Sequence, residues 1–195
     1  MKRVGIYGGS FNPIHNGHIE LARQLITAVA LDEVWFVVSP QNPFKVGDNL
    51  LDDEKRLEMA RCALATEPQM KASDVEFYLP RPSYMWNTLQ QLSSDIPDCT
   101  FILLIGGDNW SSFARWYRSE DILSHYSIAI YPRKGEEIEE SSLSDNVTLI
   151  HAKLLDISST MIRQRLAENK SISGLVPPVV ARMIKREKLY KEQNH

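Results

Sequence analysis

Short apolar runs alternate along the chain with longer segments of helical spacing, and this alternation is the strongest constraint on its fold. The runs are rich in Val, Ile, Phe and Tyr and are continuous, which is typical of strands buried on both faces. They occupy 3–8, 33–40, 99–106, 126–132 and, more weakly, 147–152. The segments with helical spacing are 17–30, 53–66, 83–95, 158–169 and 177–193. The sequence therefore predicts an α/β fold with a Rossmann-like, doubly wound parallel sheet.

The length of the chain fits one such sheet with its helices. It has 195 residues, enough for one α/β domain with a full core and short for two independent domains. We therefore expect a single domain over 1–195, with a helical C-terminal part from about residue 157. The acidic stretch 133–146 is expected to be a loop.

Charge, cysteine usage and hydropathy narrow the class of protein. The net charge of −3 does not favour binding to nucleic acid or to a membrane surface. Cys62 and Cys99 lie far apart without metal-like spacing, which fits a reducing cytoplasm. The N-terminus reaches glycines too early for a signal peptide, and no apolar run reaches the roughly 20 residues of a membrane helix. We expect a soluble cytoplasmic protein without a nucleic-acid or membrane partner, either a monomer or a homo-oligomer.

The stretch GGSFNPIHNGH (8–18) follows the first predicted strand, where ligands bind in doubly wound sheets. Gly8 and Gly9 lack side chains, so backbone N–H groups there can approach a phosphate closely. Ser10 can add a hydroxyl donor. Gly17 would open the following helix, whose N-terminus favours an anion. These features predict a phosphate-binding loop.

Two histidines in this stretch add a chemical function to it. With a helix starting near residue 16, His15 and His18 would face the same end of the site and donate hydrogen bonds to phosphate oxygens. The alternatives are a tight turn with surface histidines or half of a metal site, for which the sequence nominates no third ligand. The loop matches neither a Walker A motif nor the G-x-G-x-x-G fingerprint.

A second stretch, ISSTMIR (157–163), carries an anion-binding pattern of its own. Ser158, Ser159 and Thr160 would cap a helix start and offer hydroxyl and N–H groups to an anion. Arg163 lies one turn further on the same side as Ser159. The alternative is an ordinary helix cap followed by a solvent-facing arginine.

Together the two stretches resemble the paired signatures of the nucleotidyltransferase superfamily, H-x-G-H and I-S-S-T-x-I-R. The segments 39–45, 81–92, 103–118 and 175–190 extend the likeness over nearly the whole chain and make it similar to the nicotinate-nucleotide adenylyltransferases. The resemblance implies a three-layer α/β/α nucleotidyltransferase fold. It also implies that ATP and nicotinate mononucleotide are joined to nicotinate adenine dinucleotide, with release of pyrophosphate and without a protein nucleophile.

The resemblance also assigns the nucleotide side of the site. It implies that His15, His18, Lys45 and Arg163 are the catalytic residues, with His18 the closer histidine to the α-phosphate and Arg163 beside the β- or γ-phosphate. The ATP site it implies consists of Gly8, Gly9, Ser10, Phe11, His15, Gly17, His18, Gly106, Asp108, Arg133, Ile157, Ser158, Ser159 and Arg163. Mg²⁺ is expected with the triphosphate, held through phosphate and water oxygens and not by a dedicated protein site.

The pyridine nucleotide side is assigned in the same way. The residues implied to bind nicotinate mononucleotide are Ser10, Lys45, Tyr84, Met85, Thr88, Trp116 and Tyr117. Trp116 would stack on the flat nicotinate ring, and backbone N–H groups near Tyr84 would bind its carboxylate. The chain departs from the family at Met85, usually Thr, and at Phe44, usually His.

Three other functions remain open at this point. A sister transferase on the same fold would use nicotinamide mononucleotide, phosphopantetheine or a cytidylyl substrate, although 83–92 and 106–116 favour nicotinate mononucleotide. A nucleotide-binding regulatory module without turnover would not need the charge-stabilising residues that the chain carries. A redox enzyme that binds a finished dinucleotide would need the G-x-G-x-x-G loop.

Overall fold

The computed structural model describes residues 1–40, 50–131 and 138–190. Within these ranges the chain forms a parallel sheet of six strands in the order β3-β2-β1-β4-β5-β6. The strands are β1 (Lys2–Gly9), β2 (Glu33–Val38), β3 (Met70–Ser73), β4 (Cys99–Gly106), β5 (Ser127–Tyr131) and β6 (Val147–Leu149). This order is typical of doubly wound sheets, so the predicted fold class is confirmed.

Helices cover both faces of the sheet. In chain order they are α1 (Asn16–Ala28), α2 (Asp53–Leu64), α3 (Met85–Asp95), α4 (Gly107–Ser111), α5 (Ser119–His125), α6 (Ser159–Ala167) and α7 (Pro178–Glu187). Helices α1, α2, α6 and α7 pack on one face, while α3 and α5 pack on the other. The predicted three-layer α/β/α arrangement is therefore confirmed.

The strands supply both cores because successive side chains point to opposite faces. In β2, Val34 and Phe36 belong to the core under α1 and α2, whereas Trp35 and Val37 belong to the core under α3. Four of these residues in a row are buried, which is why the strand appears in the sequence as a continuous apolar run.

One strand and two α-helices were not predicted from the sequence. Strand β3 was not predicted, because only Met70 of its four residues is buried and it lies at the edge of the sheet. Helices α4 and α5 were not predicted either, because they have only five and seven residues.

The last helix is shorter than predicted. It ends at Glu187 and not at 193, because Lys188 adopts a left-handed conformation with φ 53°. The N–H of Leu189 then donates to the carbonyl of Ile184 at 3.0 Å, a bond that closes the helix end. Residues 191–193 lie outside the described residues.

The chain changes faces of the sheet between β1 and β4. The helix after β1 packs on one face, and α5, which follows β4, packs on the other. A crevice therefore opens beyond the carboxyl ends of these two neighbouring strands, which is where doubly wound sheets bind ligands. No helix in the described ranges has the length and apolar character needed to cross a membrane.

Candidate active site

A cavity of about 450 Å³ occupies this crevice. Its walls include Gly8 and Gly9 at the end of β1, and Tyr84 and Met85 at the start of α3. Trp116 and Tyr117, from the connection between α4 and α5, line it as well. The structure therefore brings the first glycines of the phosphate loop together with the predicted pyridine-binding residues.

The two histidines stack on each other at the start of α1. Their ring centroids are 3.5 Å apart with an interplanar angle of 19°. His15 is the extended residue that precedes the helix, and its backbone N–H donates to Nδ1 of His18 at 3.2 Å. Because Nδ1 of His18 is an acceptor, the neutral ring carries its proton on Nε2. The backbone thereby fixes the His18 tautomer that can donate a hydrogen bond from Nε2.

Close packing around this pair explains two residues of the loop. A Cβ on Gly17 would lie 3.0 Å from Nδ1 of His15 and 3.6 Å from Cβ of Ile157, so a side chain there would push against the histidine ring. The ring of Phe11, which is buried, meets the His18 ring edge-on at 5.1 Å. The His18 ring is therefore held between His15 and Phe11.

The second motif is bonded to the first loop. Oγ of Ser159 donates to the carbonyl of Pro13 at 2.9 Å, and Nη1 of Arg163 donates to the carbonyl of Asn12 at 2.9 Å. These partners are 146 and 151 residues apart in the sequence. The structure thus unites the two signatures in one site, with the start of α6 directed at the phosphate loop.

Ser158 begins α6 in the way that the sequence predicts. Its Oγ accepts the N–H of Met161 at 3.1 Å. Replacing this cap removes the acceptor, so Ser158→Ala should lower the free energy of unfolding by about 1 kcal/mol in urea denaturation. Ser158→Asn, which keeps a capping oxygen, serves as the matched control and should stay close to the wild type. An equal loss in both variants would contradict this role.

A buried arginine that was not predicted donates a hydrogen bond to the backbone at the start of the phosphate loop. Arg56 of α2 is completely buried. It donates to the carbonyls of Ser10 at 2.5 Å, Ser39 at 2.9 Å and Leu51 at 2.8 Å, and its guanidinium pairs with Asp53 at 2.5 Å. Arg56 therefore connects Ser10, the first residue after β1, to Ser39 and Leu51, which lie on either side of the segment 41–49.

On the pyridine side, α3 presents an N-terminus without a side-chain cap. Tyr84 is its first flanking residue, and the Tyr84 side chain makes no capping hydrogen bond to the N–H groups of the first turn. The Tyr84 ring packs against Tyr117, with centroids 4.9 Å apart. The half-buried indole of Trp116 packs against Phe113 at 5.4 Å. A flat anionic ligand could therefore lie along these rings with its charge at the helix end.

Thr88 lies behind this wall and not on it. It is fully buried, and its hydroxyl donates to Oε1 of Glu76 at 2.9 Å. Glu76 does line the cavity, in a short 3₁₀ helix over Val75–Tyr78. Nothing in the sequence singled out Glu76, because the segment between the second and third predicted helices has no regular pattern.

Of the remaining predicted residues, Asp108 lies within the described part of the chain and two others lie outside it. Asp108 follows β4 directly, in the first turn of α4, and a Cβ on Gly106 would lie 2.5 Å from its Oδ1. Asn109 and Arg115, which were not predicted, line the cavity nearby. Lys45 and Arg133, together with Phe44, lie outside the described residues. Across 1–40, 50–131 and 138–190, no group of three or more His, Cys, Asp or Glu side chains could hold a metal ion.

Known proteins resemble this chain in sequence and in structure. A family model described as cytidylyltransferase-like matches residues 6–165. A protein of Bacteroides thetaiotaomicron named as a probable nicotinate-nucleotide adenylyltransferase is 47% identical over 178 residues, which cover 91% of this chain and 88% of that protein. A protein of Cytophaga hutchinsonii with the same name is 44% identical, covering 96% and 98%. A solved structure of Plasmodium falciparum nicotinic acid mononucleotide adenylyltransferase, complexed with NaAD, has a TM-score of 0.82 at 22% identity and covers 97% and 98%.

Proposed function

Because the chain belongs to the cytidylyltransferase-like family and, within it, to the nicotinate-nucleotide adenylyltransferases, we propose the reaction of those enzymes for it. It transfers the adenylyl group of ATP to nicotinate mononucleotide, forming nicotinate adenine dinucleotide and pyrophosphate, a step of NAD synthesis. The observation that carries the proposal is one cavity that runs from the phosphate loop to Tyr84 and Trp116. This cavity places the wall proposed to bind the pyridine directly beside the start of the phosphate loop.

The reaction needs no group of the protein as a nucleophile. A 5′-phosphate oxygen of nicotinate mononucleotide attacks the α-phosphorus of ATP and forms the new P–O–P bridge. The bond from the α-phosphorus to the oxygen that bridges to the β-phosphate breaks, and pyrophosphate leaves with the electron pair. The protein contributes positioning and stabilisation of the charge on the phosphoryl oxygens.

His18 is the residue we assign to the α-phosphoryl oxygens. Its role is supported by the fixed tautomer, which makes Nε2 a donor, and by the packing that holds its ring. A donor held in place before the reaction stabilises developing charge without reorganising. His15 supports the ring of His18, and the backbone around Gly8, Gly9 and Ser10 surrounds the nucleotide phosphates.

Arg163 and Ser159 are assigned to the pyrophosphate end of ATP. Their support is the pair of bonds to the carbonyls of Asn12 and Pro13, which places a guanidinium and the start of α6 beside the phosphate loop. A guanidinium and a helix N-terminus both favour the charge of the leaving pyrophosphate. On the resemblance alone, we retain Arg133 in this ATP site and Lys45 as a catalytic residue that also binds nicotinate mononucleotide.

Mg²⁺ is proposed to enter with ATP as part of the substrate. Oxygen ligands from the triphosphate and water satisfy its preference for six oxygens. When bound it neutralises phosphate charge. The groups assigned to the phosphates are donors (backbone N–H groups, Nε2 of His18 and the guanidinium of Arg163), and these fit the phosphates and not the ion.

The pyridine side is proposed to select an acid. The uncapped N-terminus of α3 offers N–H groups to the nicotinate carboxylate, and Trp116 and Tyr117 offer flat surfaces to its ring. Met85 contributes its backbone N–H, so its side chain need not match the family. We further propose that 1–195 acts as one domain in the cytoplasm, where Cys62 and Cys99 stay as free thiols.

Pyrophosphate release tests this function directly. With ATP and Mg²⁺, nicotinate mononucleotide should exceed nicotinamide mononucleotide in kcat/KM by at least about 100-fold, because the amide leaves buried donors unpaired. Met85→Thr is the matched variant and should keep this ratio if the backbone makes the contact. Pyrophosphate release that occurs only with phosphopantetheine as acceptor, or with none of the acceptors tested, would refute the proposed function. Comparable rates with acid and amide would refute the carboxylate site only.

A further inference from the structure

The cavity contains a buried carboxyl group that the proposed reaction does not use. Only 3% of Glu76 is exposed, although it forms part of the cavity wall. Its Oε1 accepts the hydroxyl of Thr88. Its Oε2 is also buried and makes no hydrogen bond within the described part of the chain. A buried oxygen without a hydrogen-bond partner destabilises the folded protein. A ligand group that enters the cavity would supply the missing partner.

This carboxyl lies close to the end of α3 that is proposed to bind the substrate. Thr88, its partner, is in the first turns of α3, and the Thr88 hydroxyl also lies 3.4 Å from the carbonyl of Tyr84. Ser83, directly before Tyr84, has a buried hydroxyl that interacts with the Glu76 carboxyl without forming a well-aligned hydrogen bond. Both polar groups line the cavity next to Tyr84, where a pyridine substituent would lie.

Among the described residues, the Glu76 carboxyl interacts with hydroxyl groups and not with a charged side chain. The groups that face Glu76 are the hydroxyls of Thr88, Ser83 and Ser39. Asp74 is paired with Arg61 at 2.9 Å, and Arg81 is paired with Asp53 at 2.9 Å. Burial raises the pKa of the Glu76 carboxyl, and the three hydroxyls oppose this effect only in part. Arg115 is the charged side chain that lines the same cavity.

We propose that Glu76 determines the preference for a pyridine acid over a pyridine amide, by donating a hydrogen bond from a protonated Oε2 to the carboxylate of the substrate. The inference rests on the proposed function and deepens it. Two carboxyl groups at one site hold one proton between them, because both cannot be ionised at close range. A protonated Glu76 therefore favours nicotinate, whereas an ionised Glu76 repels nicotinate and accepts the amide N–H of nicotinamide.

The sign of the pH dependence follows from this arrangement. Nicotinate should be preferred below the pKa of Glu76, and the preference should decline as the pH rises through it. The ratio of kcat/KM for the two mononucleotides isolates this effect, because both substrates share the same ribose phosphate and the same ATP. In the wild type the ratio should fall at least about tenfold as the pH rises through the Glu76 pKa, which burial raises above the ordinary glutamate value.

Three variants separate this role from a structural one. Glu76→Gln cannot ionise, so its ratio should not change with pH. Thr88→Val removes a hydroxyl that favours the charged carboxylate, so the kcat/KM ratio should decline at a higher pH than in the wild type. Thr88→Ser keeps the hydroxyl, so the midpoint of this decline should stay at the wild-type pH. The Thr88 pair tests the inference even if Glu76→Gln does not fold.

Proton uptake gives a readout that does not depend on turnover. Above the pKa of Glu76, binding of nicotinate mononucleotide should take up a proton, and binding of nicotinamide mononucleotide should not. Titration calorimetry in buffers of different ionisation enthalpy measures this difference. A wild-type ratio that does not change with pH, or a Glu76→Gln curve that follows the wild type, would overturn the inference. Absence of turnover with both mononucleotides would instead refute the proposed function.

Discussion

Replacing His18 with alanine should lower kcat for adenylyl transfer by about 10²- to 10³-fold, which is the usual effect of removing one donor to a developing oxyanion. The loss is expected because the structure orients the imidazole before any ligand binds. The His15 N–H fixes the tautomer, and His15 and Phe11 hold the ring from two sides. A group with this much support is suited to act on a transition state and not merely to bind ATP.

The measurement must therefore separate rate from affinity. If His18 acts mainly in the transition state, kcat and kcat/KM should fall together while the Kd of ATP changes by less than about fivefold. His151→Ala is a suitable control, since the side chain of His151 is 77% exposed and lies beyond β6. A loss of ATP affinity as large as the loss of rate would contradict the assignment and leave His18 as a binding residue.

Replacing Arg56 with methionine should destabilise the protein by about 3–5 kcal/mol, as expected when one partner of a buried, hydrogen-bonded ion pair is removed. Methionine preserves most of the volume, so the effect isolates the lost bonds. Three buried or partly buried carbonyls, those of Ser10, Ser39 and Leu51, would lose their donor. Activity should fall as well, because the phosphate loop would lose its support.

Urea denaturation followed by circular dichroism would measure this change. Arg23→Met is the matched control, because Arg23 also forms ion pairs but its side chain is 51% exposed. An exposed pair of this kind contributes about 0–1 kcal/mol. If Arg56→Met cost no more than Arg23→Met, the three carbonyls would have other donors and the support assigned to Arg56 would be wrong. Arg56→Lys would keep the charge without the forked geometry and should recover only part of the stability.

The fold was predictable from the sequence where burial leaves a visible pattern. The central strands β1, β2 and β4 are covered on both faces, so their apolar runs are unbroken. Strand β3 has no such run, because among the described strands it pairs with β2 alone and buries just one of its four residues. The prediction therefore failed at the edge of the sheet, where pairing with a neighbour determines the structure more than composition does.

Site residues were predictable where their type and their spacing in the sequence indicate a chemical role. His15, His18 and the segment 157–163 stand out by type and spacing, and the structure brings them together. Arg56 gave a weaker signal: it lies four residues before Ala60, on the apolar face of the predicted helix, where a charge is unexpected. Glu76 gave none, because its importance depends on burial by elements that are distant in sequence.

The bonds from α6 to the β1 loop also determine when the site can exist during synthesis. The loop is made first and follows the central strand β1, yet the donors that hold its Asn12 and Pro13 carbonyls come from residues 163 and 159. A nascent chain that has emerged as far as β5 has the glycines and both histidines but lacks these donors. These two bonds to the loop can therefore form only after α6 has been made, late in translation.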